Sequence, residues 1–325
     1  MKSYRSIQYY LFTVCVLFAL ILTLSSCGEQ NTSKPAKIVF ADVSWDSVQV
    51  HNRIAAFIIS KGLGDYEVEF VSGDTLPLFN GLTLGDVDVN MESWHSNFPE
   101  AYEKAIQAGT VKDLGKNIPD APQGWWIPRY ILEGDSERGI EASAPDLKHI
   151  NDLPKYWQLF KDPEDSSKGV VYLGAAGWSS TITSEEFFDG AGLGDTYNSS
   201  APGSGAALAA SMVGAYEKGE PWVGYYWAPT AVLGRLDMVR LEGSEFPPAD
   251  VHILMNAKSA QAMPEVAEFL SRYATTVADN NLFLAMMEEN GWGAEETAQW
   301  FLSDKQDVWT QWVDEAVAEK VLAAL

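Results

Sequence analysis

The sequence predicts an α/β protein of two lobes, each a β-sheet flanked by helices, with a ligand cleft at the hinge between them. Three observations carry this. Short apolar runs alternate with amphipathic segments from about residue 37 onward. The 325 residues are too many for one small core and enough for two. A second β/α series interrupts the first, so the chain must cross between lobes twice.

The elements follow in order. "KIVFADVSW" reads as a strand, "SVQVHNRIAAFIISKGLG" as an amphipathic helix ending at glycine, and "YEVEFVSG" as a second strand. "TLPLFNGLTLGD" reads as a helix, "VDVNMESW" as a strand and "NFPEAYEKAIQAG" as another helix. This βαβαβ rhythm predicts a parallel sheet. "GWWIPRYIL" reads as a strand leaving that unit, and a loop-rich segment with Pro145, Pro154 and Pro163 follows. The second series starts at "GVVYLGAAGW", with "TSEEFFDGAG" and "GSGAALAASMVGAYEKG" as helices and "PWVGYYW" as a strand. "VHILMNA" then reads as a strand of the first unit, and the chain is helical from "PEVAEFLSRYATTV" to its end. Lobe 1 is thus expected over 37–130 and 240–325, and lobe 2 over 131–239, with hinge crossings near 125–135 and 233–242.

A formal charge of −23, from 45 acidic and 22 basic residues, makes nucleic acid and anionic headgroups poor partners for the folded part. At the N-terminus Lys2 and Arg5 precede the apolar run "YYLFTVCVLFALILTL", a secretory signal pattern. The run is shorter than the roughly 20 residues of a spanning helix. It ends in "LSSCG", Leu24 to Gly28, which resembles the lipobox of bacterial lipoproteins. That resemblance implies a signal peptide over 1–26, lipidation of Cys27 and a flexible tether over 27–36. The alternative is an uncleaved anchor helix. Either way the folded part stands outside the cytoplasmic membrane, on the outer face of the cell membrane or on the periplasmic side where there are two membranes. The other cysteine, Cys15, lies inside the signal, so counting excludes a disulfide in the mature chain.

Enzyme signatures are missing. His51, His95, His149 and His252 are scattered without metal-ligand spacing. No GxSxG elbow, P-loop or strand-linked GxGxxG occurs, and "GAGLGD" at Gly190 to Asp195 reads as a helix end and turn. "SEE" at Ser184 to Glu186 reads as a solvated helix start rather than a carboxylate dyad. The expectation is a protein without catalysis, cofactor or metal.

Four of the 12 tryptophans occupy equivalent places. Trp45, Trp94, Trp178 and Trp227 each end a strand or follow one directly, where open α/β sheets bind their ligands. Two belong to each unit, and closing the cleft would bring them together. Aromatic faces carry negative potential, so such a group can cage a cation that has no hydrogen to donate. Trp300, Trp309 and Trp312 fall at core spacings in the C-terminal helices, and Trp157, Trp222 and Trp292 read as structural. Trp125 and Trp126 are candidates to line the cleft from the hinge strand.

With "DVSWDSVQVHN", "GDVDVNMESW", "DLPKYWQLFKDPED", "GYYWAPTAVLGRLDMV" and "DVWTQWV", the chain from Lys37 onward resembles the substrate-binding proteins of ABC importers for glycine betaine, choline and related compatible solutes. The resemblance implies a two-lobed type II periplasmic-binding-protein fold, a small methylated amine as ligand and an ABC permease subunit as partner; the chain itself is expected to be a monomer. It casts Trp45 and Trp94 as first-lobe cage members, Trp178 as the second-lobe one and Trp227 as the residue that completes the box. Backbone N–H groups of Ser179 and Ser180 would meet a carboxylate, which suits the helix start "SSTITSEEF". Some betaine binders place a carboxylate-binding histidine a few residues beyond the second first-lobe tryptophan. Here His95 is adjacent and Asn97 lies nearer that spacing. Asp46 resembles the acid that choline binders use for the hydroxyl, or serves as a cap for the following helix. The rivals are a binding protein for an amino acid or an uncharged sugar, and an extracellular lipoprotein enzyme.

Overall fold

A computed structural model describes residues 35–247 and 249–325. The expected signal peptide, Cys27 and the tether up to residue 34 lie outside the described residues. The rest forms two five-stranded sheets with helices packed on them.

The first sheet has strands β1 (Ala36–Asp42), β2 (Tyr66–Ser72), β3 (Val89–Ser93), β4 (Val111–Ala121) and β10 (Ala249–Asn256), in the order β2-β1-β3-β10-β4. The second has β5 (Gln123–Pro128), β6 (Gly169–Tyr172), β7 (Tyr197–Ser200), β8 (Gly224–Trp227) and β9 (Met238–Arg240), in the order β7-β6-β8-β5-β9. Position for position, the two orders share one plan. In both, the fourth strand is the one that has just arrived from the other sheet.

The βαβαβ unit forms the parallel strands expected of it, and the arriving strand adds an antiparallel one to each sheet. β1 runs parallel to β2 and β3, but β10 is antiparallel to β3 and β4. Likewise β6 is parallel to β7 and β8, whereas β5 is antiparallel to β8 and β9. The cause is direction of entry. A strand arriving from the other lobe enters at the end where the local parallel strands finish, so it must run against them.

The crossings also shift. The chain leaves the first sheet at Ala121 and enters the second at Gln123, ahead of the 125–135 expected. It leaves the second at Arg240 and re-enters the first at Ala249, at and beyond the end of the expected 233–242. Residues 123–128, assigned to lobe 1 from the sequence, therefore belong to the second sheet.

Helices cover the sheets and carry the loops that matter for the cleft. These include α1 (Asp46–Ile58), α2 (Thr75–Leu84), α3 (Pro99–Gln107), α4 (Ser179–Gly190) and α5 (Gly205–Lys218). Toward the C-terminus α6 (Pro264–Arg272), α7 (Val277–Asn290) and α8 (Ala294–Asp304) pack on the first lobe. Apolar residues recurring at the helical 3.6-residue period explain α6, whose Val266, Ala267, Phe269 and Leu270 are buried on one face. Trp309 is fully buried and donates its Nε1–H to the Leu302 carbonyl at 2.7 Å. Trp312 lies over Tyr273 with ring centroids 4.0 Å apart. Both are core residues, as their spacing suggested.

Trp309→Ala should therefore cost about 3–5 kcal/mol of folding stability. In denaturant titration the midpoint should fall sharply, and an unchanged midpoint would remove Trp309 from the core.

Candidate functional site in the cleft

The four tryptophans sit at the C-terminal ends of the parallel strands. Trp45 stands three residues beyond β1 at the N-cap position of α1, in extended backbone. Trp94 follows β3 and opens a short 3-10 turn, His95–Asn97. Trp178 follows the β6 loop at the N-cap position of α4, and Trp227 is the last residue of β8. A tryptophan at an N-cap has no side-chain oxygen for the first-turn N–H groups; Thr181 N–H bonds back to the Trp178 carbonyl at 3.2 Å, and those of Ser179 and Ser180 are left for another acceptor.

All four rings are buried. Trp178 meets Trp45 edge to face at 5.4 Å between centroids and 84°, and meets Trp227 at 5.0 Å and 82°. Trp178 also donates from Nε1 to the Ser44 hydroxyl at 3.2 Å, a contact from the second lobe to the first. The space bounded by these rings is ≈ 20 Å³, room for about one water.

Glycines beside Trp178 have a physical reason. A methyl at Gly177, whose φ is +85°, would overlap the carboxyl of Asp74 from the first lobe at 2.3 to 2.6 Å. One at Gly205 would press on the Trp178 ring at 3.0 Å. The chain omits side chains where the lobes approach most closely.

Polar groups complete the walls. Ser179, Ser180 and Asn97 line the same space as the four indoles. Thr75 and Tyr225 line it too and were not anticipated. Asn97 donates from Nδ2 to Gln123 Oε1 at 3.0 Å, and the Tyr225 hydroxyl donates to the same oxygen at 2.8 Å. Gln123, the first residue past the Pro122 crossing, thus ties a first-lobe loop to a second-lobe strand.

Behind the rings lies a second unanticipated residue, Glu92 in β3. Its side chain is fully buried, and Oε2 accepts Nε1–H of Trp45 at 2.7 Å and Nε1–H of Trp94 at 3.4 Å. Burial pushes this carboxyl up to about 7, against the opposing pull of bonds from Trp45, Ser47 and Trp94. His51 Nε2 is 3.6 Å from Glu92 Oε1. Burial lowers the His51 imidazole to about 4 even though Asn280 and Asp279 favour its charged form, so near neutral pH the two are not an ion pair. Asn280 Oδ1 lies 3.0 Å from His51 Nε2 and the Tyr273 hydroxyl 2.7 Å from Nδ1. Because the Asn280 amide nitrogen already donates to Thr275 and Thr276, Nε2 carries the hydrogen. A glutamate in an apolar strand two residues before a tryptophan was the signal that sequence reading passed over.

Other expected residues lie elsewhere. His95 is outside the lining, stacked on Tyr102 at 4.2 Å and edge-on to His252 at 4.6 Å. Trp125 is fully buried and bonds Ser184 Oγ from Nε1 at 3.1 Å, so it packs the second lobe and does not line the cleft. Trp126 is half-buried, donates to the Tyr226 carbonyl at 3.1 Å and does not line it either. Asp46 opens α1 and faces a neighbouring cavity of ≈ 390 Å³ that shares Trp45 and Trp227 as walls. Burial raises its carboxyl. Among the described residues no group of three or more His, Cys, Asp or Glu could hold a metal, and no helix is long and apolar enough to cross a membrane.

Residues 36–304 match the family described as the substrate binding domain of the ABC-type glycine betaine transport system. The chain belongs to this family. It is a family of transport substrate-binding domains and not of enzymes. A trimethylamine N-oxide-binding protein of Pelagibacter ubique is 23% identical over 318 residues, 91% of this chain and 98% of that protein. Among solved structures, a glycine betaine/L-proline-binding protein of Borrelia burgdorferi superposes with a TM-score of 0.74 at 18% identity, covering 88% of this chain and 99% of the other. A lactococcal protein in its closed conformation with glycine betaine gives 0.69 at 17%, covering 86% and 100%. At such identities the superpositions establish the two-lobed binding-protein fold.

If the approach of Gly177 to Asp74 sets how far the lobes close, Gly177→Ala should hold them apart, because the methyl has no room and the backbone is left-handed. X-ray scattering should then show a larger radius of gyration than the wild type, with part of the change reversed by adding Asp74→Ala. An unchanged radius would show that this contact has no weight in closure.

Proposed function

We propose that the chain is the extracytoplasmic, Cys27-anchored binding protein of an ABC importer, and that it captures glycine betaine or a closely related small methylated amine between its four tryptophans for delivery to the permease. The observation that carries this reading is the convergence of Trp45, Trp94, Trp178 and Trp227 on one buried space from both lobes. Family membership and the ligands named for the relatives point the same way.

The chemistry follows from the walls. A trimethylammonium group spreads its charge over methyls, cannot donate strong hydrogen bonds and gains from both indole faces and apolar burial. Each desolvated cation–π contact is worth on the order of 2 kcal/mol, so three supply most of the roughly 8 kcal/mol of a micromolar complex before ordering costs. At the other end of the ligand, the free N–H groups opening α4 at Ser179 and Ser180 suit a carboxylate or an N-oxide oxygen. The rings touch edge to face, so entry requires the lobes to part and exchanges ring–ring contacts for ring–cation ones. Ligand contacts from both sides then favour the closed form.

A more compact amine, trimethylamine N-oxide, is a second reading, favoured by the narrowness of the space and by the Pelagibacter relative. Asp46, directed at the neighbouring cavity, would serve only a ligand that reaches past the rings.

Tryptophan fluorescence titration of the mature chain with glycine betaine, trimethylamine N-oxide, choline, proline and a set of sugars tests the reading. A methylated amine should bind, and Trp94→Ala and Trp178→Ala should each weaken it tenfold or more, about 1.4 kcal/mol. Both variants should lose far less stability than Trp309→Ala. Binding of a sugar and of no methylated amine would sink the cage.

A further inference from the structure

Building on the reading of the four tryptophans as a seat for a methylated ammonium, we propose that Glu92 is the buried counter-charge of that seat, and that capture of the cation expels the proton Glu92 carries. Glu92 touches no ligand in this account. It is a positioning residue that acts through the indoles of Trp45 and Trp94.

The geometry supplies the argument. One oxygen, Oε2, accepts from the indole nitrogens of both first-lobe cage members, so a single carboxyl sets the tilt of two rings. The other oxygen, Oε1, is buried and has no hydrogen-bond partner. A carboxylate in that position leaves a charged oxygen unpaired in a dry core, whereas a carboxylic acid carrying its proton on Oε1 removes the charge at lower cost. The resting group is therefore easily protonated, in line with the rise to about 7 produced by burial.

The groups facing Glu92 do not neutralise it. His51 of α1 is fully buried, held neutral by that burial, and directs its Nε2–H at Asn280. Tyr273, after α6, is a buried phenol pushed well upward by burial and by the negative charge of Glu92 and Asp279. Asp279 of α7 acts on His51 and Tyr273. Ser47 and the two indoles are neutral donors. No cation among these residues pairs with the carboxylate.

A cation between the rings changes the balance. An ionised acceptor on Nε1–H raises the electron density of an indole and makes its face a better partner for positive charge. The cation in turn favours the ionised carboxyl across a low-dielectric interval. The step balances as Glu92 carboxylic acid plus cation giving Glu92 carboxylate, bound cation and one proton released to solvent.

The test measures calorimetric binding of glycine betaine and of tetramethylammonium, neither of which titrates between pH 5.5 and 8.5, to the full mature chain. The wild type should bind each about tenfold more tightly at pH 8.5 than at pH 5.5. Near pH 6.5, heats measured in two buffers of different ionisation enthalpy should show release of about half a proton or more per ligand. Glu92→Gln keeps an oxygen that accepts from both indoles but removes the charge. It should bind at all pH values as the wild type does at pH 5.5, and release no proton. If Glu92 is only an acceptor for the rings, the glutamine variant will match the wild type at pH 8.5, and the proposal fails. A flat wild-type profile without proton release overturns it with no variant needed, while binding itself leaves the cage intact. Failure of both ligands to bind at any pH would remove the cage and the coupling together.

Discussion

The chain passes between its two sheets twice, at Pro122 and again between Arg240 and Ala249, and the remaining geometry depends on that constraint. Each crossing delivers a strand to the end of a sheet where the parallel strands finish. Those ends must then face each other across the gap, whatever the helices outside them do. Trp45, Trp94, Trp178 and Trp227 stand at the finishing ends of β1, β3, β6 and β8, so the topology brings four separate strand ends around one small buried space. The close approach of Gly177 to Asp74, and the bond from Trp178 to Ser44, show how little space the two lobes leave.

Within that frame the electrostatics are unusual for so acidic a protein. Its surface charge is screened by water and salt over a few ångströms to about ten. The carboxyl of Glu92 is screened by neither. It sits beneath the rings in a layer of neutral donors, with His51 prevented by burial from taking a charge that would compensate it. Such a group also acts on folding. Its native carboxyl ionises higher than the ordinary glutamate value, so its favourable contribution is complete below about 4.5 and is lost as pH rises to about 7. Burying this carboxyl thus costs the protein some stability as it ionises toward neutral pH.

Much of this was legible in the sequence because it rests on local pattern. A tryptophan directly after an apolar strand, repeated four times, marks strand ends without any knowledge of pairing, and "SSTITSEEF" marks a helix start. What failed depends on neighbours. Strand direction leaves no trace in periodicity, so the antiparallel course of β5 and β10 had no signal to give it away. β4 carries Gly115, Pro119 and several charges, and β7 is the polar "YNSS", so neither looks like a strand by itself. Trp125 and Trp126 lie in the middle of β5, not at its end, and pack on their own lobe. His95 follows Trp94 closely in sequence but turns toward Tyr102 and His252. Glu92 was missed because a strand glutamate reads as solvent-facing until the two indoles it holds are placed beside it.

The central claim is that the four rings select positive charge and not merely apolar bulk. Its most direct test compares equilibrium binding of glycine betaine with that of its carbon isostere, 3,3-dimethylbutanoate, in which a quaternary carbon replaces nitrogen at nearly unchanged shape. The account predicts that betaine binds at least tenfold more tightly, about 1.4 kcal/mol. Equal binding of the two would show an apolar slot, and would contradict the cage.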